Sequence, residues 1–311
     1  MLPIALSVVI IGLNEGPRLR ACIQSVVADL KTFDQPSEII YSDSGSTDDS
    51  IDLARSIPGV RVVQAGRHSA AHARNAGWHA ATGTIIQFFD GDMTVEPGWL
   101  KRGFEAMKDH RVGAVFGTLR ELHVRTNPYC AAFGLDWNKP AGDVESFGGA
   151  TMIRHDILLS VDGYDESLRL GEDPELSSRV RHVGFLIRSV DAPMATHDLA
   201  IPNFTTYWKR AVAVGKSSML VFMKCRSTRT AWRALSSIVT LTCLIVALTI
   251  ALSVPWGLPV LVSLALLRWL RFVVRDLRTG IGFNASFAHG SHLIIGKIPE
   301  AQGALCACLL R

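Results

Sequence analysis

Residues 84–92 read Thr84-Ile85-Ile86-Gln87-Phe88-Phe89-Asp90-Gly91-Asp92. A short run of β-branched and aromatic residues ends abruptly in two carboxylates around a glycine. A run that is apolar on both alternating faces predicts a strand covered on both sides, as in a parallel sheet layered between helices. Outward from it, residues 5–11, 38–41 and 60–63 repeat the pattern upstream, and residues 112–116 repeat it downstream. Helical segments alternate with these strands. Pro17 opens one, whose apolar positions Leu19, Ile23, Val26, Val27 and Leu30 follow a 3.6-residue period. Asp48 or Asp49 is placed to cap a second, Ser69 to cap a third, and residues 96–107 supply a fourth. The alternation predicts an α/β fold with a mostly parallel sheet and helices on both faces.

In sheets of this kind ligands bind beyond the carboxyl ends of the strands. Asn14-Glu15, Ser42-Asp43-Ser44-Gly45 and Asp90-Gly91-Asp92 each stand at such an end. A single convergent site is therefore expected. Residues 119–165 are irregular and rich in glycine and aromatic side chains. Glu172-Asp173-Pro174-Glu175 then opens a helix, residues 185–190 form a strand, and His197-Asp198 follows in a loop.

The 311-residue chain is 48% hydrophobic, with a mean hydropathy of +0.24. The excess is local. Residues 236–254 hold no charged side chain and are long enough to cross a bilayer. Pro255-Trp256-Gly257-Leu258-Pro259 breaks that run, and residues 260–267 reach spanning length only if they start near Trp256 and continue to Val274. Basic residues crowd positions 209–233 and 268–278, while the connecting turn has none. The positive-inside rule then predicts a hairpin with both ends in the cytosol, at the plasma (inner) membrane. A buried core helix is the alternative for the first segment. Residues 204–233 mix aromatic, aliphatic and basic side chains as interfacial helices do. The expected division is a catalytic domain at 1–202, interfacial helices at 203–233, a transmembrane hairpin at 234–275 and a cytosolic or interfacial tail at 276–311. The basic clusters suit anionic membrane lipids.

A net charge of only +4 gives no reason to expect a nucleic-acid partner. The six cysteines form no Cys-x-x-Cys pair and read as reduced thiols, which suits a cytosolic catalytic domain. Residues 4–13 lack the basic flank and cleavage site of a secretory signal.

Two carboxylates around a glycine at a strand end are hard oxygen ligands suited to Mg²⁺ or Mn²⁺, although solvated turn aspartates look the same. Asp43 either makes part of a strand-to-helix turn or accepts hydrogen bonds from a nucleobase or ribose, and both can hold. Glu172 and Asp173 either offset a helix dipole or do acid–base chemistry. His197 alone is either a packed histidine or a metal ligand.

Five stretches in order narrow these choices: SVVIIGLNEGPRL, EIIYSDSGSTDDS, ARNAGWHAATGTIIQFFDGDMTVEPGWL, GGATMIRHDILLSVDGYDESLRLGEDPELSSRVRHVG, and the His197 that follows. Together they resemble the family 2 glycosyltransferases of GT-A fold, membrane-anchored bacterial type, over residues 7–215. The resemblance implies that Asn14 and Glu15 border the nucleotide pocket, that Asp43 contacts the base, and that Arg74 and Asn75 lie near the nucleotide and its phosphates. It implies that Asp90 and Asp92 hold the ribose and a divalent metal (Mg²⁺ or Mn²⁺), with His197 a further ligand. It makes Asp173 the general base with Glu172 beside it, and places Gly148 and Gly149 along the donor sugar. Two positions depart from the family pattern. Ser44 stands where many members carry a second aspartate, and Tyr207-Trp208-Lys209-Arg210 replaces a Gln-x-x-Arg-Trp motif, which argues for addition of single sugars.

The expected activity is inverting, metal-dependent transfer of one sugar from a nucleotide-sugar donor to a lipid-linked or glycan acceptor, in surface polysaccharide or glycolipid assembly. Polyprenyl phosphate itself is the alternative acceptor. A non-catalytic membrane scaffold with a degenerate transferase domain is the alternative class. Its sign would be loss of Asp92, Asp173 or His197, and all three are present.

Overall fold

The computed structural model describes residues 3–66, 69–135, 137, 139–225 and 228–309. Of the basic cluster noted above, Arg226 and the side chains of Arg229 and Arg233 lie outside the described residues. Along the chain run β1 (Leu6–Gly12), α1 (Pro17–Leu30), β2 (Ser37–Asp43), α2 (Ser50–Arg55), β3 (Val60–Gln64), α3 (Ala70–Ala80), β4 (Ile85–Asp90), β5 (Met93–Val95), α4 (Trp99–Ala106) and β6 (Val112–Glu121). There follow α5 (Pro128–Gly134), β7 (Gly142–Val144), β8 (Thr151–Arg154), α6 (His155–Ser160), α7 (Glu172–His182) and β9 (Leu186–His197). Helices α8 (Phe204–Cys225), α9 (Thr228–Ser253), α10 (Gly257–Arg278), α11 (Phe283–Ile295) and α12 (Lys297–Leu309) complete it.

Two units emerge. The first comprises Met1–Arg120 and Trp137–Asp198, the second Glu121–Asp136 and Leu199–Arg311. In the first, the strands form one sheet in the order β3-β2-β1-β4-β8-β6-β9-β5, with β7 against β9. The expected parallel sheet is found in β3-β2-β1-β4. The β4–β8, β8–β6, β9–β5 and β9–β7 ladders are antiparallel, so the sheet is mixed. Strand β1 is buried at all seven positions, which is why its sequence reads as an unbroken apolar run. Its register sets Gly12 beside Asp43 and Ile11 beside Asp90, so the acidic strand ends finish level with one another.

Several boundaries differ from the sequence reading for local reasons. Helix α4 begins at Trp99, not residue 96, because Gly98 takes a left-handed conformation (φ 80°). The buried Asp29 carboxylate accepts from Gly98 N and Leu100 N and so caps the helix from α1. Asp49 occupies the N-cap position of α2 without a side-chain cap bond, while Asp48 accepts from Ser50 N at 3.0 Å. Ser69 caps α3 as expected, accepting from His72 N. Strand β9 continues through Asp191 and Pro193 to His197, since its far end pairs with β5, and His197 is therefore a strand residue.

In the second unit, α9 and α10 contain Leu235–Ser253 and Gly257–Arg278, long and apolar enough to cross a membrane, with 11% and 6% of the most apolar stretch buried. Exposure on that scale is unlike a core helix in water. Gly257, Leu258 and Pro259 are not part of the break but form the first turn of α10, where proline costs no hydrogen bond. Phe283–Ile295 and Lys297–Leu309 are helical, with a turn at Gly296 between them. A Cβ on Gly215 of α8 would lie 1.8 Å from Glu300 O, and one on Gly303 of α12 would lie 1.9 Å from Val212 O. The two backbones touch through paired glycines. Ser237 of α9 donates to Glu300 Oε2 at 2.8 Å, and Lys297 pairs with the same oxygen.

Candidate active site

The level strand ends of β1, β2 and β4 leave Asn14, Glu15, Asp43, Asp90 and Asp92 along one rim of the sheet. The pairing of β5 with β9 adds the decisive element. Met93 lies opposite His197, and Asp198 N donates to Asp92 O at 3.2 Å. His197 Nε2 sits 3.1 Å from both carboxylate oxygens of Asp92, bonding Oδ2 and leaving the buried Oδ1 without a hydrogen bond. Asp90, Asp92 and His197 each offer a ligand atom, and these atoms lie within 4.8 Å of one another. Two carboxylates, an imidazole and an orphaned buried oxygen fit a divalent cation of the Mg²⁺ or Mn²⁺ kind.

Arg74 of α3 joins this cluster to helix α7. Its Nη2 donates to Asp90 Oδ1 at 2.9 Å and its Nη1 to Glu172 Oε1 at 2.8 Å, with the side chain 3% exposed and 5.5 Å over the Tyr164 ring. Burial works against the guanidinium charge, but Asp90, Asp173 and Glu172 outweigh it and hold the pKa above its ordinary value. Gly149 makes room for the pair: a Cβ there would meet Arg74 Nη2 at 2.5 Å and Asp90 Oδ2 at 3.1 Å. Gly148 next to it faces open space.

Glu172 and Asp173 are adjacent in the first turn of α7 but differently committed. Glu172 spends an oxygen on Arg74. Asp173 Oδ1 is 3.8 Å from Arg74 Nη1, buried, and accepts no hydrogen bond. Burial raises the Asp173 carboxyl well above the carboxylate range, Arg74 opposes, and Glu172 and Asp90 add to the rise. Glu15 is likewise pushed up to about 6, by burial first and then by Asp92, with Arg18 opposing at 2.8 Å.

Other residues named from the sequence are already satisfied within the protein. Asp43 is fully buried, with Oδ1 accepting from Tyr41 Oη at 2.8 Å and Oδ2 from Gly45 N and Ser46 N at 2.8 Å. Asn14 (φ 57°) accepts from Thr47 N at 2.8 Å and thereby clamps the β2 loop to β1. Asn75 points away from Arg74: its amide donates to Tyr164 O and Glu166 Oε1 and accepts from Trp78 Nε1 and Tyr164 N. Sequence reasoning missed Trp137, whose ring lies 5.0 Å from that of His197, and Lys139, whose charge lowers the Asp173 carboxyl. Both belong to a stretch without periodicity. Only the Trp-x-Lys composition could have drawn attention there.

Comparison with known proteins agrees with this geometry. Residues 7–134 match the family described as Glycosyl transferase family 2. Glycosyltransferase AglE of Haloferax volcanii is 23% identical over 228 residues, 70% of this chain and 74% of that protein. The uncharacterized glycosyltransferase YibD of Escherichia coli is 36% identical over 96 residues, 30% of this chain and 27% of that one. Among solved structures, the mannosyltransferase PcManGT of Pyrobaculum calidifontis, in complex with GDP-Man and Mn²⁺, aligns with a TM-score of 0.55 at 19% identity, covering 100% of this chain and 88% of that one. Residues 1–349 of S. aureus TarS align at 0.53 and 16% identity, covering 93% and 91%. The fold is GT-A-like, with two C-terminal helices long enough to span a membrane. The chain carries a family 2 glycosyltransferase domain with a candidate metal-binding active site.

Proposed function

We propose that the protein transfers a single sugar, with inversion, from a nucleotide-sugar to a lipid-linked acceptor in surface polysaccharide or glycolipid assembly, its catalytic domain on the cytoplasmic side of the inner membrane. The observation that carries the reading is the split between neighbours in α7: Glu172 is held by Arg74, while Asp173 keeps a buried oxygen free of hydrogen bonds. Asp90, Asp92 and His197 would hold a divalent cation, which would supply positive charge against the leaving diphosphate. Asp173 accepts the acceptor hydroxyl proton as that oxygen bonds the anomeric carbon and the bond to the diphosphate breaks; one base and one displacement invert the centre. Arg74 ties the metal cluster to α7, so that donor and base keep a fixed separation. Glu15, at the rim, and Gly148, facing open space, border the donor. Asp43 and Asn14 shape that rim through the turn they hold.

Orientation follows from the basic flanks of the two apolar helices. A reporter after Arg311 should lie on the cytosolic side and one inserted near Trp256 on the other; an external C-terminus would remove the hairpin. The activity itself is tested by incubating expressing membranes with a panel of labelled nucleotide-sugars, with and without chelator, and resolving the lipid-extractable product. A metal-dependent labelled lipid supports the reading. Its absence with every donor, beside metal-independent hydrolysis, overturns it. A product whose sugar is joined directly to polyprenyl phosphate would identify that acceptor over a lipid-linked oligosaccharide.

A further inference from the structure

Within the second unit, the short helices α11 and α12 show an inverted polarity. On α11, Ser286 and His289 are buried (0% and 1% exposed), while Phe283 and Phe287 are 60% and 48% exposed and Ile295 stands out with them. On α12, Glu300 is buried among small residues, and Ile298, Leu305 and Leu309 are exposed. A helix on a water-soluble core turns its large apolar groups inward. Charge is scarce as well. Between Thr279 and Leu310 the only charged side chains are Lys297 and Glu300, and they pair with each other at 2.6 Å. Polar side chains of the pair bond to neighbouring helices: His289 Nδ1 meets Asp276 Oδ2 at 2.7 Å, and Gln302 accepts from Trp208 Nε1 at 3.1 Å.

Both helices sit at one end of the two apolar helices of spanning length. A Cβ on Gly290 of α11 would lie 3.0 Å from Val273 of α10, and Ser291 accepts from Trp269 Nε1 at 3.2 Å. These contacts fall in the C-terminal half of α10, which carries Arg268, Arg271, Arg275 and Arg278. On the other side, α12 meets α9 at Ser237, near the start of the apolar stretch Leu235–Ser253. The start of α9 and the end of α10 are the same end of a hairpin. Each short helix has 13 residues, about 20 Å of rise, against a hydrocarbon core of about 30 Å.

We propose that α11 and α12 are embedded in the membrane without crossing it, their outward phenylalanine and aliphatic face seated in the acyl chains of the leaflet at the open end of the hairpin. Lipid hydrocarbon is the occupant because the face is apolar and uncharged, and because α9 and α10 beside it are exposed in the same way. The arginines of α10 mark the headgroup level against which α11 lies. A mutually paired Lys297 and Glu300 is the form in which charge is kept at such a depth. By sequence this segment reads as either cytosolic or interfacial, and the inverted burial separates the two. The placement depends on α9 and α10 spanning, and not on the sugar-transfer reading.

The test is photolabelling of the full chain in vesicles of phosphatidylcholine and phosphatidylglycerol, with adducts mapped by peptide mass spectrometry. One probe phospholipid carries a diazirine near the ester end of an acyl chain, a second at the chain terminus. Peptides covering 283–309 should label with the shallow probe and about threefold or more weaker with the terminal one, as expected for helices lying in the interface. Peptides of α9 and α10 should label with both. Phe287→Asp should cut the adducts on α11 by about threefold or more and leave those on α9 unchanged. Leu305→Asp should do the same on α12, and it keeps the ring contact between Trp269 and Phe287 intact should the first variant disturb the fold. Adducts on α9 and α10 but none on 283–309 would put the face in water and overturn the proposal. Equal labelling of 283–309 by both probes would make the pair a crossing segment and also overturn it. No lipid adduct beside a chemical cross-link between two copies through Lys297 would give the face to a second copy instead.

Discussion

In the α/β unit, β1 is buried at every position and Phe88 and Phe89 are wholly enclosed. In the helical unit, α9 and α10 leave Ile245, Leu264 and Leu267 exposed by 57%, 60% and 64%. The same residue types are used in opposite senses because the two units meet different solvents. Polar groups divide in the same way. The α/β unit gathers carboxylates at its strand ends around one buried arginine and leaves single oxygens of Asp92 and Asp173 without hydrogen bonds. The helical unit joins several of its polar groups in local sets, Ser237 and Lys297 on Glu300 and Tyr207 on His292. An unsatisfied buried polar group is costly and is retained where a ligand completes it. The carboxylate–histidine cluster belongs to the first unit and the two helices of spanning length to the second.

The comparison breaks most visibly if the carboxylate cluster does not need a cation. Excess chelator should abolish transfer, Mn²⁺ or Mg²⁺ should restore it, and Asp92→Ala should lose metal-dependent nucleotide binding measured by calorimetry. Full activity in chelator would remove the metal from the site.

Next in size is Asp173→Asn, expected to lower turnover by roughly two to four orders of magnitude while leaving donor affinity nearly unchanged. Because burial raises this carboxyl, the acid limb of wild-type turnover should lie above the usual carboxylate range of about 4 and disappear in the variant. The native state also holds this proton more tightly than the unfolded chain does. The resulting stabilisation is full at low pH and is lost as pH rises through the raised value. Asp173→Asn should therefore flatten that decline, which thermal melts across pH will read. Near-normal turnover in the variant would reduce Asp173 to a residue that offsets a helix dipole.

Leu264→Asp sharpens the contrast in solvent. It should impair membrane insertion by about 2.5–3.5 kcal/mol, read by carbonate extraction or an insertion assay, although the residue is exposed. A tolerated aspartate would place α10 outside the hydrocarbon. The smallest effect, about 1–3 kcal/mol, is expected for Gly215→Ala, whose added methyl would press on the Glu300 backbone and separate α8 from α12. Thermal unfolding in detergent should show it, and an unchanged melt would mean the two helices give way at no cost.

Much of this was set by the chain's local chemistry. The unbroken apolar runs of β1 and β4 imply strands covered on both faces, Pro17 and Ser69 mark helix starts, and the uncharged residues 236–254 imply a spanning helix, because solvent preference and backbone stereochemistry act over a few neighbouring residues. The acidic strand ends were equally legible, since parallel strands present their carboxyl ends on one side. Other features depended on contacts between residues far apart in sequence. The mixed β8-β6-β9-β5 half of the sheet, the extension of β9 to His197 opposite Met93, and the start of α4 under a cap from Asp29 follow no local period. Nor does a sequence motif say that Arg74 reaches both Asp90 and Glu172 while Asn75, the next residue, turns to Tyr164. A helix sends adjacent side chains about 100° apart, so neighbours in the chain face different surroundings, and which of them meets the site is decided by packing alone.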